Sequence, residues 1–187
     1  SGEPVIRGAM MQAMKIMGRQ FVLGRTITEA LKNGKPQRDQ GYTYSFDMLG
    51  EAALTRADAA KYFADYSKAI AALVDDKYKG ASPKPTISIK LSALHPHYEV
   101  AHEEQVIEEL GEGVLELVRQ ARKGDVGITI DAEEADRLEL SLKLFEKVYR
   151  HPDVQGWGNF GLVVQAYSKR ALPVLCWLTL VARSQGD

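Results

Sequence analysis

The sequence predicts an α/β fold of the β/α (TIM-like) barrel class, with four strand–helix units preceded by N-terminal helices. Three observations lead there. Short runs rich in β-branched and aromatic residues recur at Tyr42–Leu49, Thr86–Ser92, Gly127–Ala132 and Gly161–Ala166. Segments of helical periodicity follow each of them, and strand–helix alternation implies parallel strands joined by right-handed crossovers. Each strand also carries one apolar parity and one parity that ends in a charged or amide residue.

The first 41 residues read as a helical segment with a linker, and residues 42–187 as the first half of the barrel. Met10, Met14, Met17 and Phe21 recur at helical spacing and are expected to pack in a core. A second helix starts at Thr26, with Glu29 as a capping-box partner and Asn33-Gly34 as its stop, so that Lys35–Gln40 becomes the linker. Within the barrel, Thr55 and Asp58 open the first helix, whose face is Tyr62, Tyr66, Ile70 and Leu73. The second helix presents Val106, Leu110, Val114, Leu117 and Ala121; the third presents Leu138, Leu142, Phe145 and Tyr149 and ends at His151-Pro152. The fourth begins near Pro173 and runs to about Arg183.

Composition narrows the function classes. Among 187 residues, 24 basic groups face 25 acidic ones, so no overall charge favours nucleic acid or an anionic membrane, and a small molecule is the better default partner. No apolar run approaches the roughly 20 residues of a membrane span, which implies a soluble domain, and the opening residues lack an export signal. The one cysteine, Cys176, lies in an apolar run and is expected to be a buried structural thiol.

Strand parity locates the site. Ile87, Ile89 and Leu91 share one face of the second strand, leaving Ser88 and Lys90 on the other; Ile128 and Ile130 likewise oppose Thr129 and Asp131. The first strand sets Tyr44 and Phe46 against Ser45 and Asp47, and the fourth sets Leu162 and Val164 against Val163 and Gln165. Asp47, Lys90, Asp131 and Gln165 therefore all fall near strand C-terminal ends on the face away from the helices, at separations of 43, 41 and 34 residues. One βα unit occupies about 30 residues or more, so each unit contributes one polar group. A closed barrel gathers them at the mouth where such folds keep their active sites. An open doubly wound sheet would instead bury Lys90 and Asp131 beneath a helix, at a high desolvation cost.

Other constellations carry less. His95-Pro96-His97 has no companion ligand spacing and reads as a turn at the mouth, so no metal is expected. Glu133, Glu134 and Asp136 read as caps for the third helix, and Trp157 between two glycines as a loop anchor. No glycine-rich dinucleotide or phosphate loop is present.

Tyr44-Ser-Phe-Asp-Met-Leu-Gly-Glu51, Ile87-Ser-Ile-Lys-Leu-Ser-Ala-Leu-His-Pro96, Ile130-Asp-Ala-Glu-Glu-Ala-Asp-Arg137 and Val164-Gln-Ala-Tyr167 resemble the proline dehydrogenase domain of the bacterial bifunctional proline utilisation flavoenzymes. The resemblance covers nearly the whole chain. It implies a distorted β/α barrel that binds FAD, oxidises L-proline to pyrroline-5-carboxylate by hydride transfer to the flavin, and passes the electrons to a quinone. It further implies that Lys90 holds the proline carboxylate and that Asp131 is the active-site aspartate. Ala132 and Gln165 would contact flavin, and Asp47 and Glu51 would be acids of the substrate pocket, Glu51 pairing with an arginine supplied later in the chain. A cytoplasmic location is implied, with peripheral contact at the inner membrane through the full-length protein left open. The family's fifth strand would begin where this chain stops, at Asp187, so a longer chain or a second piece is expected to complete the site. An aldolase-like Schiff-base role for Lys90 and a non-catalytic fragment stay open as alternatives.

Overall fold

The computed structural model describes residues 2–80 and 82–186, with the side chain of Arg19 outside the description. The chain forms two units, Ser1–Thr43 with Asp76–Pro83, and Tyr44–Asp75 with Lys84–Asp187.

The first unit contains helices α1 (Glu3–Phe21) and α2 (Ile27–Asp39). Thr26 Oγ accepts the Glu29 N–H, and the Glu29 carboxylate accepts the Arg25 N–H, so the cap lies where the sequence puts it. The stop does not. Helix α2 runs through Asn33-Gly34 and Pro36 to Asp39. Its last turn carries Arg38, buried, 2.7 Å from Asp76 and 3.9 Å from the centre of the Tyr78 ring. That tertiary anchor outweighs the local helix-breaking residues. In α1 the expected core stripe is exposed instead: Met10, Met14, Met17 and Phe21 all face outward. No described element of the first unit covers it.

The second unit is an α/β layer structure. Strands β1 (Ser45–Asp47), β2 (Thr86–Ile89), β3 (Ile128–Ile130) and β4 (Phe160–Leu162) form one parallel sheet in sequence order. Four helices accompany them: α3 (Arg56–Val74), α5 (Glu103–Lys123), α6 (Leu138–Tyr149) and α7 (Ala171–Gln185), with a one-turn helix α4 (Leu91–Leu94) after β2. Sequential neighbours joined by right-handed crossovers place their helices on one side of the sheet. Consistent with a single layer, α3 packs on α5 and α5 on α6.

The core lies between sheet and helices. Ile87, Ile89, Ile128 and Ile130 are fully buried, and so is the face of α5 that periodicity selects, with Val106, Leu110, Val114, Leu117 and Ala121 all buried. Pairing runs Ile87 beside Ile128 and Ile89 beside Ile130, then Ile128 beside Phe160 and Ile130 beside Leu162. The ladder is shorter than the β-rich runs, and the fourth strand begins one residue earlier than expected and stops before Val164. On α6 the buried side chains are Leu140, Leu144, Phe145 and Val148; of the expected face only Phe145 is buried. Cys176 on α7 is exposed, contrary to its apolar surroundings in the sequence, because that side of α7 has no described neighbour and Leu172, Leu175 and Leu180 are exposed beside it.

Gly50 illustrates how the first loop is fitted. Its φ of +133° suits glycine alone, and a Cβ there would lie 2.4 Å from the Tyr62 ring of α3. The loop after β1 therefore lies close on the helix.

Candidate functional site

Lys90 follows β2 directly. Alternation turns its side chain away from the buried Ile89 and Leu91, and its backbone N–H donates to the hydroxyl of Tyr66 on α3 at 3.0 Å. Its ammonium lies 3.0 Å from Asp131 Oδ2, at the end of the neighbouring strand, and is hydrogen-bonded to Asp47 Oδ1 at the end of β1. Three strands thus bring one cation and two carboxylates together. The Lys90 side chain is 13% exposed, Asp131 25% and Asp47 53%, so the cluster opens to solvent on the Asp47 side.

Burial opposes the charged form of Lys90, but hydrogen bonding and attraction to Asp47 and Asp131 more than offset it, and its pKa is raised. Burial pushes the Tyr66 phenol up to about 12, against the opposing pull of the Lys90 N–H and ammonium.

The remaining sequence-selected positions are Ala132, Gln165 and Glu51. The Ala132 N–H donates to Asp131 Oδ1 at 3.1 Å, which sets the carboxylate's orientation from its own backbone. Gln165 lies beyond the β4 ladder, where its amide nitrogen donates to the Glu133 carbonyl at 3.0 Å. Ala132 and Gln165 line one pocket together with Tyr98, Glu133, Leu162 and Val163. Glu51 is exposed in the loop after β1 and makes no ion pair with a described residue.

Two expectations change. Glu133 does not cap its own helix; its carboxylate accepts the N–H of Ser92, at 3.0 Å, and the Ser92 hydroxyl, and so caps the one-turn helix α4 on the neighbouring strand. Asp136 caps nothing by its side chain, and Glu134 pairs with Arg137 at 3.2 Å. His95 is buried: Nδ1 accepts the His97 N–H at 3.1 Å, which leaves the proton on Nε2, 3.3 Å from Glu109. Arg56 and Gln105 hold that Glu109 carboxyl down to about 2. Among the described residues no group of three His, Cys, Asp or Glu side chains is gathered to hold a metal. The Trp157 indole donates to Asp125 at 3.2 Å, at the opposite end of the strands from Lys90.

Sequence reasoning missed Ser92 and Tyr66. The local signals were partial: extending the β2–β3 register sets Ser92 opposite Glu133, and Tyr66 stands on the apolar face of α3, but neither signal marks the hydroxyl as a hydrogen-bond partner.

A parallel β/α layer whose strand C-terminal ends hold an ammonium between two carboxylates defines the class: a β/α-type fold with a charged cluster at the strand ends, the position where such folds carry their sites. The sequence model described as proline dehydrogenase matches residues 30–187. The chain belongs to the proline dehydrogenase family. It is 50% identical over 187 residues to the bifunctional protein PutA of Klebsiella aerogenes, a match that covers 99% of this chain and 14% of that protein. A crystal structure of a Bradyrhizobium japonicum proline utilization A mutant superimposes with a TM-score of 0.82 at 47% identity, over 99% of this chain and 19% of the other. Proline utilization A from Bdellovibrio bacteriovorus, inactivated by N-propargylglycine, matches with a TM-score of 0.92 at 26% identity, over 98% of this chain and 20% of the other. The chain spans about a seventh of the length of the curated relative and about a fifth of each solved one.

Proposed function

We propose that residues 42–187 are the first half of the β/α barrel of an FAD-dependent proline dehydrogenase, that residues 1–41 are its N-terminal helical segment, and that the chain works as part of a longer protein. The observation that carries this reading is the Lys90 ammonium held between Asp47 and Asp131. Proline is a zwitterion. Its carboxylate needs a fixed cation and its ammonium needs carboxylates, and this triplet offers both within one cluster. A ligand carboxylate entering the cluster takes Lys90 from one of the two acids, which is then free to receive the ligand's ammonium. In this reading Lys90 binds the substrate carboxylate, Asp131 keeps Lys90 charged and oriented, and Asp47 and Glu51 supply the acidic side of the pocket.

The donor set also fits a flavin. The Gln165 amide nitrogen is engaged with Glu133, which leaves the amide oxygen to accept from a ring N–H, while Ala132 projects only a methyl group into the same pocket. An FAD held there would supply the hydride acceptor for oxidation of proline to pyrroline-5-carboxylate, with a quinone as the final electron acceptor. The chain's own contribution is to hold the substrate and keep its charges paired. A cytoplasmic protein with peripheral contact to the membrane suits a quinone acceptor; no helix among the described residues is long and apolar enough to cross a membrane.

A Schiff-base role for Lys90 is disfavoured, since an attacking amine must be neutral and both neighbouring carboxylates hold Lys90 in its charged form. The test is Lys90→Met in the longer protein. Loss of one charge-assisted contact, worth about 1.5–3 kcal/mol, raises the proline KM by roughly 10-fold to 100-fold. An unchanged KM, or a flavin spectrum that proline fails to bleach without oxygen in the unmodified protein, would overturn the reading.

A further inference from the structure

We infer that Glu133 and Ser92 form a positioning latch that sets the spacing of Lys90 and Asp131, and with it the affinity for a carboxylate substrate; this rests on the proline dehydrogenase reading above. The sheet itself stops short of the site. The last backbone rung between the two strands is Asp131 N–H to Ile89 C=O at 2.8 Å, after which β2 turns into α4 and β3 ends. Beyond that rung the backbones share no bond, and Lys90 and Asp131 sit at the point where they part.

Glu133 spans the gap. One carboxylate oxygen accepts the Ser92 N–H at 3.0 Å and the other accepts the Ser92 hydroxyl. Ser92 is buried and is bonded to the loop after β1 as well: its Oγ accepts the Ala52 N–H at 3.1 Å and its carbonyl accepts the Ala53 N–H at 2.8 Å. The Glu133 carbonyl in turn receives Gln165. Two residues thus tie together the loops after all four strands, within a few positions of Asp47, Glu51, Lys90, Asp131 and Gln165. Glu133 makes no ion pair with a described residue, so the work of its carboxylate lies in the two bonds to Ser92 rather than in neutralising a cation.

The experiment compares Ser92→Ala, Glu133→Ala, Glu133→Gln and the double alanine variant in the longer protein, each checked for folding by thermal melting. We expect the proline KM to rise about 5-fold to 10-fold in both alanine variants with kcat changed less than about 3-fold. The double variant should fall well short of the product of the two single effects, because the singles share the hydroxyl–carboxylate bond, while Ser92→Ala keeps its N–H bond to Glu133 and loses the Ala52 bond in addition. Glu133→Gln should recover most of the loss, since its amide oxygen still accepts the Ser92 N–H and its amide nitrogen can donate to Oγ. Glu108→Gln, exposed on α5 and outside the pocket lining, is the control and leaves KM unchanged. A KM within about twofold of the parent in both alanine variants overturns the latch; so does a glutamine variant as impaired as the alanine one, since charge would then be what counts. If Glu133→Ala does not fold, Ser92→Ala decides alone. A parent protein that fails to oxidise proline refutes the functional reading instead, and the latch is then judged by whether a crystal structure of Ser92→Ala keeps the Lys90–Asp131 distance, an unchanged distance refuting it.

Discussion

Tyr66 is 2% exposed, and its hydroxyl accepts the Lys90 N–H at the point where β2 turns into α4. Removing that oxygen leaves a buried N–H without a partner, so Tyr66→Phe is expected to lower stability by about 1–2 kcal/mol, read from the midpoint of urea unfolding. An unchanged midpoint would mean that water replaces the hydroxyl. The same burial gives a pH signature. The phenol ionises at about 12 in the folded chain against 10.0 for the ordinary group, so the unfolded chain loses its proton first. Stability from this group is fully present below pH 10.0 and is lost as pH rises toward about 12. An ultraviolet titration should show Tyr66, together with the likewise buried Tyr98, ionising well after the exposed tyrosines. Of the polar residues at the strand ends, Asp47, Lys90 and Asp131 are legible from parity because alternation is a local rule. Ser92 and Tyr66 are not, because a hydroxyl on a buried face looks the same in sequence whether or not a neighbouring strand uses it.

Helix starts are written locally. Thr55 Oγ accepts the Asp58 N–H at 3.1 Å and the Asp58 carboxylate accepts the Thr55 N–H at 2.9 Å, a reciprocal box at the head of α3. Thr55→Ala is expected to cost about 1 kcal/mol, measured by chemical denaturation, with the Lys90 cluster undisturbed because the box lies outside it. Helix stops and faces depend on partners. The stop in α2 is overridden by Arg38 on Asp76 and Tyr78. On α6 leucines stand at 138, 140, 142 and 144, so two leucine stripes satisfy helical periodicity equally and only packing chooses Leu140 and Leu144.

At the scale of the whole chain, the sheet of the second unit ends in two edge strands, β1 and β4, and several large apolar side chains stay exposed, among them Leu54, Leu172, Leu175 and Leu180. Exposed edges and clustered apolar surface drive association. The 187-residue chain by itself is therefore expected to self-associate and to bind a hydrophobic dye, and sedimentation velocity would check this; a stable monomer with no dye binding would contradict it.

Sequence by itself determined the strand–helix alternation, the buried parity of β2 and β3, the apolar face of α5, the caps at Thr26 and Thr55, and the convergence of Asp47, Lys90 and Asp131. All of these follow from periodicity and short-range hydrogen bonding, which involve residues a few positions apart. Only the tertiary structure decided that the α1 methionines and Cys176 face outward, that α2 continues past Gly34, which leucines of α6 are buried, and that Glu133 reaches Ser92 rather than its own helix. Each of those outcomes turns on whether a partner distant in sequence is present to cover a face or accept a bond, and no local pattern encodes that.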